Sequence, residues 1–355
     1  MKEGVSVVIP VYNAEVYLAD CLRSVISQRR RPEEVIVVDD CSTDRSASIA
    51  LSFAHRGVKL IQMPSNGGSA AARNVGIRAA SHELIAFQDA DDLWLENHCE
   101  AVVPLLEKNE EAVLAFSRTK VFQDDDWTWA IDLPAGEPVN CFLWCAPYTR
   151  IPQMNVIARR EILLAEGGYR EAMRQGQDFD LFLRLSYKYP FICTHQITTL
   201  YRRHRNSITK KNVNRSHFYM YTAQKSFWDE HHGEMSEPLR QFYQSAVMEH
   251  WLEKLRMYWG RGEWKAFDFH LSQHELIPGS AGAYRAWQRR KRFAAFRPLW
   301  GTLLRAKRRV AEKARRFSGR VPQEVAAVRP ALDLPATKST RMSAGAAVYP
   351  SGGGI

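Results

Sequence analysis

Short blocks of β-branched residues alternate along this chain with stretches whose apolar positions recur every three or four residues, the signatures of strand and amphipathic helix. Val5-Ser-Val-Val-Ile-Pro10 reads as a buried strand closed by proline, and Glu15–Gln28 follows with Val16, Leu18, Cys21, Leu22, Val25 and Ile26 at helical spacing. Val35–Val38 is a second strand, stopped by Asp39-Asp40. Ser42 and Thr43 are cap residues for a helix reaching about His55. A strand at Val58–Met63, a turn at Asn66-Gly-Gly68, a helix over Ala70–Ala80 and a strand at Leu84–Gln88 continue the series. This alternation predicts an α/β domain with a mainly parallel sheet flanked by helices and right-handed crossovers.

Farther along, residues 97–110 read as helix, Val113–Val121 as strand and Gln123–Pro138 as an acidic, Trp-containing loop. Arg159–Glu166 and Asp178–Tyr187 read as helices and Ile192–Arg202 as a strand. From Ser216 to about Trp264 the pattern is wholly helical, with Trp228, Phe242, Trp251, Leu255 and Trp259 as packing residues. The chain thus divides into an α/β domain over 1–215, a helical C-terminal extension over 216–279 packed on it, and a basic aromatic segment over 280–320. The tail over 321–355, rich in Ala, Pro, Ser and Gly, is predicted to be disordered.

With 355 residues, 45% of them hydrophobic and 25% charged, the composition is that of an ordinary globular protein. The net charge of +10 changes meaning once it is located: residues 280–320 hold fourteen Lys/Arg against Glu312 alone, and the first 279 residues carry −4. The main domain has no nucleic-acid footprint, so nucleic acid is not an expected partner. No apolar run approaches a membrane span and Val5–Val11 is too short for a signal-peptide core, which points to the cytosol. Cys21, Cys41, Cys99, Cys141, Cys145 and Cys193 sit in mostly apolar surroundings without CxxC spacing and read as buried, reduced thiols.

In a parallel α/β sheet the ligand crevice lies at the carboxyl ends of the strands. Four successive strand ends here carry uncommon polar groups: Pro10-Val-Tyr-Asn13, Asp39-Asp40, Asn66-Gly-Gly68 with Arg73-Asn74 beyond it, and Asp89-Ala-Asp91-Asp92. Each alone reads as a strand stop, a helix-face arginine or a solvated turn; together they read as a nucleotide-diphosphate site. Asp89 and Asp91 can offer oxygens to a hard divalent cation that bridges two phosphates. Asp40 can accept from a base N–H, Tyr12 offers a stacking face, and Arg73 can hold a base carbonyl or a phosphate. No glycine fingerprint follows the first strand and no GxxxxGK[ST] loop is present, which disfavours a hydride-transfer domain.

Val-Ser-Val-Val-Ile-Pro-Val-Tyr-Asn13, Val-Ile-Val-Val-Asp-Asp40 with Ser42, Thr43 and Asp44, Asn66-Gly-Gly-Ser-Ala-Ala-Ala-Arg-Asn74 and Phe87-Gln-Asp-Ala-Asp-Asp92, in this order, resemble the family 2 glycosyltransferases of the GT-A fold over roughly residues 4–210. The resemblance implies inverting transfer of a sugar from a nucleotide diphosphate, usually a UDP-sugar, with Mg²⁺ or Mn²⁺ at the Asp-x-Asp motif. It implies that Pro10, Tyr12, Asn13, Asp40, Gly68 and Arg73 serve the nucleotide, that Asp89 lies toward the ribose and metal, and that Asp91 is the metal ligand.

Inversion needs a base for the acceptor hydroxyl, and a carboxylate suffices. The family places it in a Glu-Asp pair after a Gly-Gly-aromatic segment. Here Gly167-Gly-Tyr169 is followed by Gln175-Gly-Gln-Asp-Phe-Asp180, so Asp178 matches the base while Gln177 departs from the usual Glu. A helix cap is the other reading of Asp178, and Asp180 is its rival as base. Tyr201-Arg-Arg-His-Arg-Asn-Ser207 resembles the segment in which relatives place a His near the diphosphate, making His204 a metal ligand, a phosphate donor or a surface histidine. The QxxRW signature of processive synthases is absent after Asp178, which argues for adding one sugar per encounter to a glycan or lipid-linked hydroxyl.

Residues 284–317 interleave aromatics such as Tyr284, Trp287, Phe293 and Trp300 with arginines and lysines. Such a segment suits an anionic membrane surface, which would place the protein peripherally on the inner face of the cell membrane; packing on the domain is the alternative. Two further function classes stay open, a non-catalytic sugar-nucleotide or membrane-binding relative and a nucleotidyltransferase. A proton acceptor at Asp178 favours the transferase.

Overall fold

The computed structural model describes residues 3–122, 128, 131, 133–148, 151–204 and 213–292. Among these residues the strands are Val5–Val11 (β1), Glu34–Asp39 (β2), Val58–Gln62 (β3), Leu84–Phe87 (β4), Leu93–Trp94 (β5), Leu114–Val121 (β6), Val156–Arg159 (β7) and Phe191–Tyr201 (β8). They form one sheet in the order β3-β2-β1-β4-β7-β6-β8-β5. The β3, β2, β1 and β4 strands run parallel, and β8 runs parallel to β6. Between these halves β7 is antiparallel to both β4 and β6, and β5 is antiparallel to β8. The sheet is mainly parallel, as expected, but the sequence reading passed over β5 and β7. Each is short, two and four residues, and β7 runs into the next helix without a turn residue between them.

Seven helices precede the C-terminal region: Leu18–Ile26 (α1), Ser46–Ser52 (α2), Ser69–Ala79 (α3), His98–Lys108 (α4), Phe142–Cys145 (α5), Arg160–Ala165 (α6) and Gln177–Lys188 (α7) among the described residues. Val5, Val7, Ile9 and Val11 of β1 point to one face, where α1 and α4 bury Leu18, Leu22, Val103 and Leu106. Val8 points to the other, where Ala72, Ile77, Leu163 and Phe182 form the second core. Alternation along a strand thus feeds two apolar layers from one run of valines. A Cβ on Gly76 would meet Val8 Cγ1 at 2.3 Å, so only glycine lets α3 lie this close to β1.

The helix expected after Ser42 and Thr43 begins later, at Ser46. Ser42 instead accepts the Asn13 amide at 3.0 Å, and Asp44 Oδ1 accepts the Ser46 amide at 2.9 Å. Five of the cysteines are buried as free thiols, but Cys41 is exposed, because the turn after Asp40 swings it outward with φ 66°.

The C-terminal region holds Val213–His231 (α8), Glu237–Arg261 (α9), Trp264–Ser272 (α10) and Ala281–Arg292 (α11). The helix is interrupted between α8 and α9, where Gly233 is followed by Ser236 and a proline in the first turn of α9. Trp251 and Leu255 are core residues and Trp228 and Trp259 edge residues, while Tyr243 takes the buried position expected of Phe242. Phe179 and Leu183 of α7 join this third core and Leu181 and Leu185 join the second, so α7 belongs to both layers. The start of the basic segment packs on the fold: Trp287 lies 5.6 Å from Trp259 and 5.5 Å from Phe267, and Tyr284 stacks on His274 at 3.5 Å. Arg285 and Arg289 face outward. The rest of that segment, the predicted disordered tail, most of the Gln123–Pro138 loop and residues 205–212 lie outside the described residues. Among the described residues no helix is long and apolar enough to cross a membrane.

Candidate active site

The carboxyl ends of β1, β2 and β4 open onto one side of the sheet, and α3 and α7 begin beside them. Tyr12, just past β1, is 53% exposed and free to meet a ligand, while Pro10 remains in the strand. Asn13 holds a left-handed turn with φ 50°, its amide oxygen accepting the Thr43 N–H at 2.8 Å. Asp40 is buried, and its two carboxylate oxygens accept the Gly67 and Gly68 amides at 2.6 and 2.8 Å. This carboxylate therefore shapes the glycine turn that starts α3, and it retains lone pairs for a ligand.

Arg73, on the first turns of α3, is buried and donates from Nη2 to Asp89 Oδ1 at 2.6 Å. Its guanidinium lies 5.5 Å over the Tyr169 ring. Asn74 fixes that arrangement by donating to the Tyr169 carbonyl at 2.8 Å and accepting the Tyr169 amide at 2.9 Å. The Gly167-Gly-Tyr169 segment is thereby clamped to α3, and Gly168 has no room for a Cβ, which would come within 2.5 Å of Asn74 Oδ1. Burial pushes the Asp89 carboxyl above the usual carboxylate range, against the pull of Arg73.

Asp91 and Asp89 serve different partners. Asp91 Oδ2 lies 2.8 Å from His204 Nε2, and His204 in turn packs on the Tyr17 ring at 4.7 Å. Arg202 donates Nε to the Asp91 carbonyl at 3.0 Å and its backbone amide to Asp92 Oδ1 at 2.7 Å. Burial drives the Asp92 carboxyl well up, with Asp91 and Asp89 adding to the shift. Asp92 is a structural link between the motif and the end of β8, a role the sequence reading did not give it. Among the described residues no three His, Cys, Asp or Glu side chains converge as a ready-made metal cage. The Asp91 and His204 pair nevertheless offers an oxygen and an imidazole nitrogen facing each other, a donor set that suits Mn²⁺.

Asp178 lies in the first turn of α7, beyond the left-handed Gly176 with φ 67°. Its Oδ1 accepts the Phe179 amide at 2.9 Å. Burial raises its pKa, opposed by that amide and by the Arg73 charge. Gln177 donates to Ser69 Oγ, tying the start of α7 to the start of α3. Asp180 faces away from this cluster: it is 1% exposed and pairs with Arg184 at 3.0 Å and Arg170 at 3.5 Å. Arg184 also donates to the Glu166 and Gly168 carbonyls at 2.7 and 2.6 Å. Asp180 is committed to an ion-pair network, and Asp178 is the carboxylate that shares a field with Arg73 and Asp89.

The model of Glycosyl transferase family 2 matches residues 6–164 of the chain. The chain is 36% identical over 105 residues, 30% of its length and 42% of the relative's, to the UDP-Glc:alpha-D-GlcNAc-diphosphoundecaprenol beta-1,3-glucosyltransferase WfgD of Escherichia coli. It spans 38%, 61% and 14% of the lengths of three further curated glycosyltransferases. Its fold is similar to S. aureus TarS 1–349 in complex with UDP-GlcNAc, with a TM-score of 0.60 at 18% identity over 88% of this chain and 92% of that one. It is also similar to the mannosyltransferase PcManGT of Pyrobaculum calidifontis in complex with GDP-Man and Mn²⁺, with a TM-score of 0.53 at 16% identity over 90% and 89% of the two chains.

Proposed function

We propose that this protein transfers a sugar, with inversion, from a nucleotide-diphosphate sugar to a hydroxyl of a glycan or lipid-linked acceptor, one residue per encounter. The observation that carries this reading is the convergence of Arg73, Asp89 and Asp178 at the strand ends, with Asp91 and His204 beside them. UDP is the favoured nucleotide, since relatives named for UDP-Glc and bound to UDP-GlcNAc share the domain or the fold. WfgD, named for a diphosphoundecaprenol acceptor, supports a lipid-linked acceptor here.

In this account Tyr12 stacks on the base, Asp40 and the Gly67-Gly68 turn receive its polar edge, and Asp89, oriented by Arg73, faces the ribose. Asp91 and His204 would hold Mg²⁺ or Mn²⁺, which when bound neutralises the diphosphate leaving group. Asp178 accepts the proton of the acceptor hydroxyl on the face opposite the departing diphosphate, and its raised pKa makes it a stronger base than an exposed aspartate. Residues 280–320 are proposed to contact an anionic membrane through the cations that α11 turns outward. Assay of the purified chain against UDP-, GDP- and dTDP-sugars tests the reading, with release of the nucleoside diphosphate as the expected product.

A further inference from the structure

Tyr17 packs against the Asp91 and His204 pair without offering it a coordinating atom. The residue closes the turn between β1 and α1, where its amide donates to the Ala14 carbonyl at 2.9 Å and its carbonyl accepts the Cys21 amide at 3.1 Å. That turn is pinned from the segment after β2: the Ala14 amide donates to Ser46 Oγ and the Glu15 amide to Asp44 Oδ2, each at 2.9 Å. The half-buried Tyr17 ring then meets two side chains from just beyond β8. The His204 ring lies 4.7 Å from it, centroid to centroid, and Arg202 Cζ stands 5.2 Å over it. Arg202 is itself held in place. Its Cζ is 4.8 Å over the Phe122 ring, its Nε donates to the Asp91 carbonyl and its amide donates to Asp92.

This packing gains its purpose from what His204 and Asp91 do to each other. His204 Nε2 and Asp91 Oδ2 are joined at 2.8 Å, and an ionised carboxylate only accepts, so the nitrogen facing it carries the proton. A cation binds an imidazole nitrogen through its free lone pair, and that hydrogen bond is therefore lost when the two residues become ligands. The contact with Tyr17 survives the exchange, because it uses the faces of the rings. A ligand whose orientation is fixed by packing from outside the coordination set loses less freedom on binding a metal.

We propose that Tyr17 is a positioning residue of the metal site: its ring, with Arg202 over it, keeps the His204 imidazole turned toward Asp91 once their hydrogen bond is gone. This rests on the reading of Asp91 and His204 as metal ligands. Calorimetric titration of the full chain with UDP, in Mn²⁺ and in EDTA, gives the gain in UDP affinity that manganese supplies. The proteins compared are wild type, Tyr17→Ala, Tyr17→Phe, His204→Ala and the Tyr17→Ala/His204→Ala double variant. Tyr17→Ala should cut the gain by about tenfold and leave UDP affinity in EDTA unchanged, while Tyr17→Phe, which keeps the ring, retains the gain. In the His204→Ala background Tyr17→Ala should cost nothing more. A wild-type gain in Tyr17→Ala alongside its loss in His204→Ala, a further loss in the double variant, or equal weakening of UDP with and without Mn²⁺ would overturn the positioning role. A full gain in His204→Ala would overturn the metal reading itself and this inference with it.

Discussion

Arg73 and Asp89 form an ion pair 2.6 Å long between the first turns of α3 and the end of β4. The pair separates the two carboxylates of the Asp-x-Asp motif, turning Asp89 toward the helix and leaving Asp91 to His204. Under the proposed function, metal and nucleotide fall to different members of one short motif, and that division has measurable consequences.

Asp91→Asn removes a carboxylate facing His204 at 2.8 Å without disturbing the Arg73 pair. Manganese and UDP binding should weaken together in this variant while its melting temperature stays within a few degrees of wild type. Calorimetry with and without Mn²⁺ checks this, and manganese-dependent UDP affinity equal to wild type would count against the metal assignment.

Asp178→Asn should keep UDP binding and lower turnover by roughly 10² to 10⁴. The base acts ionised, so the wild-type rate should rise with pH through a pKa set above the ordinary carboxylate range by burial, and that limb should vanish in the variant. Stability runs the other way. A carboxyl with a raised folded pKa binds its proton more tightly in the folded chain, so its stabilising contribution is present at low pH and lost as pH rises through that pKa. At neutral pH the asparagine variant should therefore melt no lower than wild type, and a lower melt with unchanged turnover would reverse both roles.

Asp180→Asn leaves Arg184 and Arg170 without their buried partner. The expected loss is about 3 kcal/mol of stability, read by denaturant unfolding, with turnover per folded molecule retained. Turnover collapsing at full stability would move the base two residues along.

Removing everything after Gly279 deletes Trp287, which is 7% exposed between Trp259 and Phe267. Such a chain should be less stable than one ending at Arg292 by about 3 kcal/mol, the usual cost of losing a buried tryptophan. Sedimentation with anionic vesicles at low and high salt then separates membrane contact from packing. Full-length protein should bind and the chain ending at Arg292 should bind more weakly; equal binding by both would place the contact outside residues 293–320.

Much of the site was legible in the sequence because it lies where apolar runs stop. Val35–Val38 ends at Asp39-Asp40, Leu84–Phe87 ends before Asp89, and a parallel sheet brings those ends together. What stayed hidden are pairings between distant segments. The Asp92 carboxylate meets the Arg202 amide 110 positions away, and Asn74 meets the Tyr169 backbone 95 positions away, without any local pattern to announce them. Asp178 and Asp180 are indistinguishable by spacing alone, and the pairing of Asp180 with Arg184 and Arg170 is visible only in the structure. Tyr243 replaced Phe242 in the core because both residues are aromatic neighbours on one helix and only its packing fixes which side is buried.

The most direct test of the account is product analysis of the purified chain with Mn²⁺ and a panel of UDP-, GDP- and dTDP-sugars, run for wild type, Asp91→Asn and Asp178→Asn. The account predicts that wild type releases a nucleoside diphosphate, UDP foremost, with the transferred sugar inverted at its anomeric carbon, and that both variants lose this activity. Release of pyrophosphate in place of the nucleoside diphosphate, or undiminished sugar transfer by Asp178→Asn, would contradict it.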